Sequence, residues 1–218
     1  SQCVRAIWDQ SEALAREEVA SIKSGKYVAE ALFDSDGVDL SRPVPLKVKI
    51  EVAGSEMTID FSEISDQVPG SINSGESGAV AAARVAFKSL VSPFSPIDEG
   101  CFRPLKVVIP TGKILSATSP APVGNWSRTL PTVVDLILRA LAPAMPHKIA
   151  AGHKGDMGGY AFFGTDPRTR RRFLCQTIMG GGWGGRAHED GENATVSICQ
   201  GDVQNAPIEL QELYYPVM

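Results

Sequence analysis

The side chains able to do chemistry in this chain gather in two glycine-rich stretches. In residues 172–193 an apolar run leads into Gly180, Gly181, Gly182, Gly184 and Gly185, and then into Arg186-Ala-His-Glu-Asp-Gly-Glu-Asn. Residues 150–159 read Ala-Ala-Gly-His-Lys-Gly-Asp-Met-Gly-Gly and offer His153, Lys154 and Asp156. Only three histidines are present, and two of them, His153 and His188, lie in these stretches close to Asp156 and Asp190. They could converge if the two loops are neighbours. A zinc site wants three or four ligands, often at a spacing such as HExxH; that spacing is missing, and no metal is expected in this chain. A GxSxG nucleophile is also missing. Cys101 has only Arg103 near it in sequence to favour a thiolate.

The glycine run leaves three readings open. Gly180, Gly182 and Gly185 match GxGxxG, a dinucleotide turn when a helix follows, but here turn residues follow. A second reading is a hinge that serves packing alone. The third is a substrate-facing loop presenting Arg186, His188 and Asp190 as catalytic candidates, with the five glycines, Asn193 and His153 as binding candidates. Glycine in either of the last two roles admits a close neighbour or an unusual backbone angle. Lys154 has neither the glycine spacing nor the following Ser/Thr of a phosphate loop, so tight ATP binding is not expected.

These loops must be carried by a scaffold, and 218 residues are enough to bury a sizeable core. The net charge is −4 with basic residues scattered, which excludes a nucleic-acid or membrane footprint. The run Arg168, Arg170, Arg171, Arg172 follows Asp166-Pro167 and reads as a solvated turn. Cys3, Cys101, Cys175 and Cys199 lack CxxC spacing and fit free thiols in a reducing cytoplasm. No stretch approaches a transmembrane helix. The chain opens at Ser1 inside a helical pattern and is expected to be part of something longer.

The expected fold is α+β, one domain over 1–218, with largely antiparallel sheets and about three packed helices, because short turns rather than helical crossovers join most strands. Helices are predicted near 2–24, 77–91 and 130–142. Their stripes are Val4, Ile7, Trp8, Ala15, Val19 and Ile22; Val80, Ala83, Phe87 and Leu90; and Leu130, Val133, Val134, Ile137, Leu138 and Leu141. Trp8 is the expected anchor of the first, while Thr129 caps and Pro131 opens the third. Strands are predicted at 27–33, 45–52, 57–61, 105–109, 160–163, 173–179 and 194–199. Asp34-Ser-Asp-Gly-Val-Asp is a turn, since an EF-hand needs its glycine at the sixth position. Before the second helix, Ser74 or Ser77 is a good cap; the alternative is that Asn73 and the helix start face an anionic ligand.

Taken in series, several segments resemble the hydantoinase B/oxoprolinase family. They are Asp60-Phe-Ser, Gln67-Val-Pro-Gly-Ser-Ile-Asn-Ser, Gly100-Cys-Phe-Arg-Pro-Leu-Lys-Val-Val-Ile-Pro-Thr-Gly, the helix ending before Met145-Pro146, the loop 152–159, Gly180-Gly-Gly-Trp-Gly-Gly-Arg with Asp190-Gly191, and Asn205-Ala-Pro-Ile-Glu-Leu-Gln-Glu. The resemblance implies a central fragment of a B-type subunit from an ATP-dependent cyclic amide (hydantoin, oxoproline or lactam) hydrolase, inactive in isolation. It implies a hydantoinase A-like partner that carries ATP and Mg and phosphorylates the substrate oxygen, an oligomeric assembly, and a divalent metal only upstream of Ser1. A ketone carboxylase component and a non-catalytic assembly domain are the alternatives. Asn125-Trp-Ser-Arg departs from the family's usual run of Gly, Asn and acidic residues, which leaves the substrate type open.

Overall fold

The structure, a computed structural model, describes residues 2–154, 158–195 and 207–215. The organising element is a four-stranded sheet of β1 (Gly25–Phe33), β2 (Val44–Ala53), β3 (Glu56–Asp60) and β4 (Leu105–Val108), in that order. Pairs β1–β2 and β2–β3 are antiparallel, and β4 joins β3 in parallel. Alternation along β2 buries Val44, Leu46, Val48, Ile50 and Val52 and turns Lys47, Lys49 and Glu51 the other way, which commits one face of the sheet to the core. On the other face Glu63 ion-pairs with both Lys47 and Lys49.

Helices α1 (Gln2–Ser21), α2 (Glu76–Leu90) and α3 (Trp126–Leu141) pack with the sheet. α3 lies on β1, β2 and α2, while α1 contacts β3 and a 3₁₀ turn at Glu99–Phe102. The α3 stripe is buried as its periodicity requires: Val133, Val134, Ile137 and Leu141 have 0% exposure. A hairpin of β5 (Gly158–Thr165) and β6 (Arg172–Met179) forms a separate two-stranded sheet, and α4 (Ile208–Tyr214) reaches it through Gln211, whose Oε1 accepts from the Tyr160 hydroxyl at 3.1 Å. The basic run closes this hairpin: Arg170 has φ 59°, and the Asp166 carboxylate accepts from the Arg168 N–H at 2.8 Å. Among the described residues no helix is long and apolar enough to cross a membrane.

The fold differs from the expectation at several points. α1 buries Ala15 and Val19, and Ile22 just past its end is buried too, but Val4 and Ile7 are 42% and 54% exposed and Trp8 is only half-buried. The Arg103 guanidinium stands 5.8 Å from the Trp8 ring centre, so this tryptophan carries a cation rather than anchoring the core. α3 starts at Trp126, leaving Pro131 inside the helix; Thr129 is wholly buried and donates to the Ile72 carbonyl instead of capping. Gly75 is the N-cap of α2 and makes no side-chain capping bond, and the Ser74 hydroxyl donates to the Gly75 carbonyl. The short helix α4 adds a fourth to the three that periodicity predicts. The expected strand at 194–199 lies beyond Thr195 outside the described residues, as do Asp156 and Cys199.

Candidate functional site

The two glycine stretches meet. Residues 182–186 run as a ribbon between two others: on one side Ala151 N–H donates to the Gly185 carbonyl (2.8 Å) and Lys154 N–H to that of Gly182 (3.2 Å). On the other side Gly182 N–H donates to Thr195 O (3.0 Å) and Trp183 N–H to Glu192 O (2.8 Å). The glycines permit this three-ribbon layer. Gly182 has φ +94°, and a Cβ on Gly184 would stand 2.3 Å from the Ala151 oxygen. Gly180 lies against the Ala194 and Thr195 backbone, and Gly181 against the Lys154 side chain. The close neighbours of these glycines are therefore the protein's own loops, by backbone except at Gly181.

The layer holds His153 against α3. Its Nδ1 lies 3.0 Å from Asp135 Oδ1, and its side chain is 6% exposed. Its Nε2 is buried with no hydrogen-bond partner among the described residues. In the neutral ring a carboxylate on Nδ1 places the proton there and leaves Nε2 as a bare acceptor. A cavity of about 60 Å³ adjoins the pair and is lined by Asp135, Lys148, Ala151, His153, Trp183 and Arg186, among others. Lys148 and Arg186 give it a cationic margin, each held by a carboxylate: Lys148 Nζ is 3.2 Å from Glu18 Oε2, and Arg186 pairs with Glu189.

The remaining sequence candidates are placed elsewhere. His188 stacks on His147, with ring centres 5.7 Å apart and planes inclined by 9°; both are exposed and neither lines the cavity. Asp190 and Asn193 are exposed on the outer loop. Asn73 is fully buried: Oδ1 accepts from Val68 N–H at 2.9 Å, and Nδ2 donates toward the carbonyls of Val68, Gly70 and Pro122 at 2.8–2.9 Å. All its polar capacity is spent inside the fold, where it ties two loops together. Asp135, Lys148 and Trp183 join the site only through the tertiary fold. The one local signal for them is a carboxylate set among buried α3 residues, with Val134 and Leu136 on either side of Asp135.

A larger cavity, about 560 Å³, lies at the β1–β2 loop beside Asp36, Asp39, Arg42, Asp66, Gln67 and Lys113. Its polar groups already serve the fold. The Asp36 carboxylate takes the N–H groups of Val38, Asp39 and Gly70, Lys113 pairs with Asp66, and Gln67 accepts from Thr118. The smaller cavity is the stronger candidate for chemistry because it adjoins the buried, unpartnered imidazole nitrogen. Among the described residues no group of three or more His, Cys, Asp or Glu side chains is placed to hold a metal ion.

The family described as hydantoinase B/oxoprolinase matches residues 1–218. A protein described as the B component of a putative D-/L-hydantoinase, from Pseudomonas sp. (strain NS671), is 30% identical over 221 residues, covering 97% of this chain and 37% of that protein. The crystal structure of ATP-dependent caprolactamase from Pseudomonas jessenii superposes with a TM-score of 0.85 at 25% identity, over 99% of this chain and 38% of the other. A nucleotide-free acetone carboxylase structure shares the fold, with a TM-score of 0.77 at 15% identity over 93% of this chain and 29% of its own. The chain thus spans well under half the length of these relatives.

Proposed function

We propose, on the premise that this chain belongs to the hydantoinase B/oxoprolinase family, that it forms part of the B-type subunit of an ATP-dependent cyclic amide hydrolase. Its substrate is a hydantoin, oxoproline or lactam whose carbonyl oxygen has been phosphorylated by a hydantoinase A-like partner holding ATP and Mg. Amide hydrolysis near neutral pH is slow because nitrogen is a poor leaving group and the carbonyl is resonance-stabilised. Phosphorylation makes that carbon strongly electrophilic, and the protein's remaining task is to hold an anionic intermediate and direct a water at it.

One observation carries this reading: the two glycine loops meet at a cleft where a buried imidazole, oriented by a carboxylate, faces a margin containing Lys148 and Arg186. The cations suit the phosphorylated species, and a bare imidazole nitrogen suits the handling of a proton. The likeness to a caprolactamase over nearly the whole chain supports the substrate class. A divalent metal, where one takes part, is assigned outside this chain.

A ketone carboxylase is the second reading, favoured by the shared fold with acetone carboxylase. The deciding assay uses the intact protein with its partner subunit, ATP and Mg, offered hydantoin, 5-oxoproline or caprolactam, and separately acetone or acetophenone with bicarbonate. ATP-dependent ring opening is expected. Carboxylation without ring opening would replace this reading with the second, and a complex active on neither, whose assembly needs this chain, would leave it an assembly domain.

A further inference from the structure

The Asp135–His153 pair has a property that packing does not require. A buried side-chain nitrogen without a partner is rare in folded proteins, because burial removes its water and returns nothing. Here the unpartnered atom belongs to a ring fixed from several directions. Asp135 Oδ1 holds Nδ1 at 3.0 Å, and backbone bonds to the Gly182–Arg186 ribbon flank His153 at Ala151 (2.8 Å) and Lys154 (3.2 Å). A hydrophobic residue would fill the same space, so the placement points to a partner that arrives with the ligand.

The adjoining cavity limits what that partner is. Each water needs about 10–15 Å³ of such volume, so about 60 Å³ seats a small water cluster or one functional group and excludes a whole cyclic amide. The ring of the substrate must then stand at the mouth, with its reacting carbon directed inward.

Resting on the hydrolase reading above, we propose that His153 Nε2 is the proton acceptor for the attacking water, that Asp135 is its positioning residue, and that the cavity seats this water. The water oxygen forms the new bond to the amide carbon that bears the phosphoryl oxygen. The C=N electron pair moves onto the ring nitrogen, and the water proton passes to Nε2. The resulting imidazolium, paired with Asp135, delivers that proton to the ring nitrogen. Nε2 then takes the proton of the new hydroxyl and passes it to the same nitrogen as the C=O bond re-forms and the C–N bond breaks, which opens the ring to an amine and an acyl phosphate; a second water hydrolyses the acyl phosphate to a carboxylate and inorganic phosphate. Charged groups facing the imidazole across the cavity are Asp135, Lys148 and Arg186, the last two neutralised in part by Glu18 and Glu189.

The first test needs no activity. In the intact protein labelled with ¹⁵N in histidine only, long-range ¹H–¹⁵N NMR is expected to show His153 as the Nδ1–H tautomer with Nε2 bare. In Asp135→Asn the proton is expected to move to Nε2, which would show that Asp135 sets the tautomer; the kinetics of a His153 variant separate catalysis from packing. A wild-type ring protonated on Nε2 overturns the proposal. In the complete complex with a cyclic amide and ATP, His153→Asn retains an N–H for Asp135 but lacks the basic nitrogen of Nε2. It is expected to lower kcat at least 100-fold with KM within threefold, the range of general-base contributions. Turnover within threefold of wild type, with fold retained, also overturns it. A wild-type complex that opens no cyclic amide refutes the hydrolase reading, while the tautomer of His153 still decides the histidine's state.

Discussion

Gly184 and Ala151 are packed backbone against backbone: a Cβ on Gly184 would lie 2.3 Å from the Ala151 carbonyl oxygen, closer than real Cβ contacts. One loop therefore sets the position of the other, and with it the position of His153 two residues beyond Ala151.

Gly184→Ala is expected to destabilise the protein by about 1–3 kcal/mol, the usual cost of overpacking, because both contacting groups are backbone. Gly54→Ala is the control. Its Cβ meets open space, and its φ of +59° is the only source of strain, costing roughly 1 kcal/mol. Urea unfolding of the two variants with unchanged m-values measures the difference. Equal midpoints would mean that the loops separate at no cost.

Asn73→Ala is expected to cost about 1–3 kcal/mol, because the carbonyls of Val68, Gly70 and Pro122 and the N–H of Val68 lose a buried partner. Asn73→Asp should cost more, since it sets an oxygen against those three carbonyls. Thermal unfolding distinguishes this structural role from ligand binding, which would leave the midpoint near that of wild type.

Arg186→Ala is expected to leave stability within about 0.5 kcal/mol, because its partner Glu189 is exposed and such pairs contribute little. In the assembled enzyme it should lower turnover at least tenfold, about 1.4 kcal/mol of transition-state stabilisation. Unchanged turnover in a folded variant would favour an assembly role for this loop.

The Asp36 carboxyl is held below its ordinary value of 3.8, first by the N–H of Asp39 and then by that of Val38, with Gly70 adding a third bond. A depressed folded-state value means that its stabilisation is fully present above the unfolded value and is lost as pH falls through the folded one. Stability should therefore decline as pH drops below about 3.8. Asp36→Asn should flatten that part of the profile, and denaturant midpoints between about pH 5 and pH 2.5 would show it. An unchanged slope would remove Asp36 from the acid response.

Much of the scaffold was legible in the chain because its causes are local. Alternation along β2 and the helical period of α3 state which face is buried, and Asp34-Ser-Asp-Gly-Val-Asp marks the turn between β1 and β2. The same rules misplace what tertiary contacts control. Pro131 reads as a helix start, yet the buried bond from Thr129 to the Ile72 carbonyl admits an earlier turn of helix. Val4 and Ile7 keep the period of a buried stripe on a part of α1 that this chain leaves exposed.

The chemistry divides in the same way. Sequence alone determined that the glycines at 180–185 admit a close neighbour or an unusual backbone angle and that His153 and Arg186 sit beside such loops, because residue type limits backbone angle and charge wherever the chain goes. Tertiary structure decided that the neighbours are the Ala151 backbone, the Lys154 side chain and the backbone of 189–195, that His188 turns outward to stack on His147, and that Asn73 is consumed by its own loops. It alone joined Asp135 to His153 at 3.0 Å. No spacing rule predicts that pair, because a helix residue and a loop residue meet only after α3 has docked on the sheet and the glycine ribbon has closed over it.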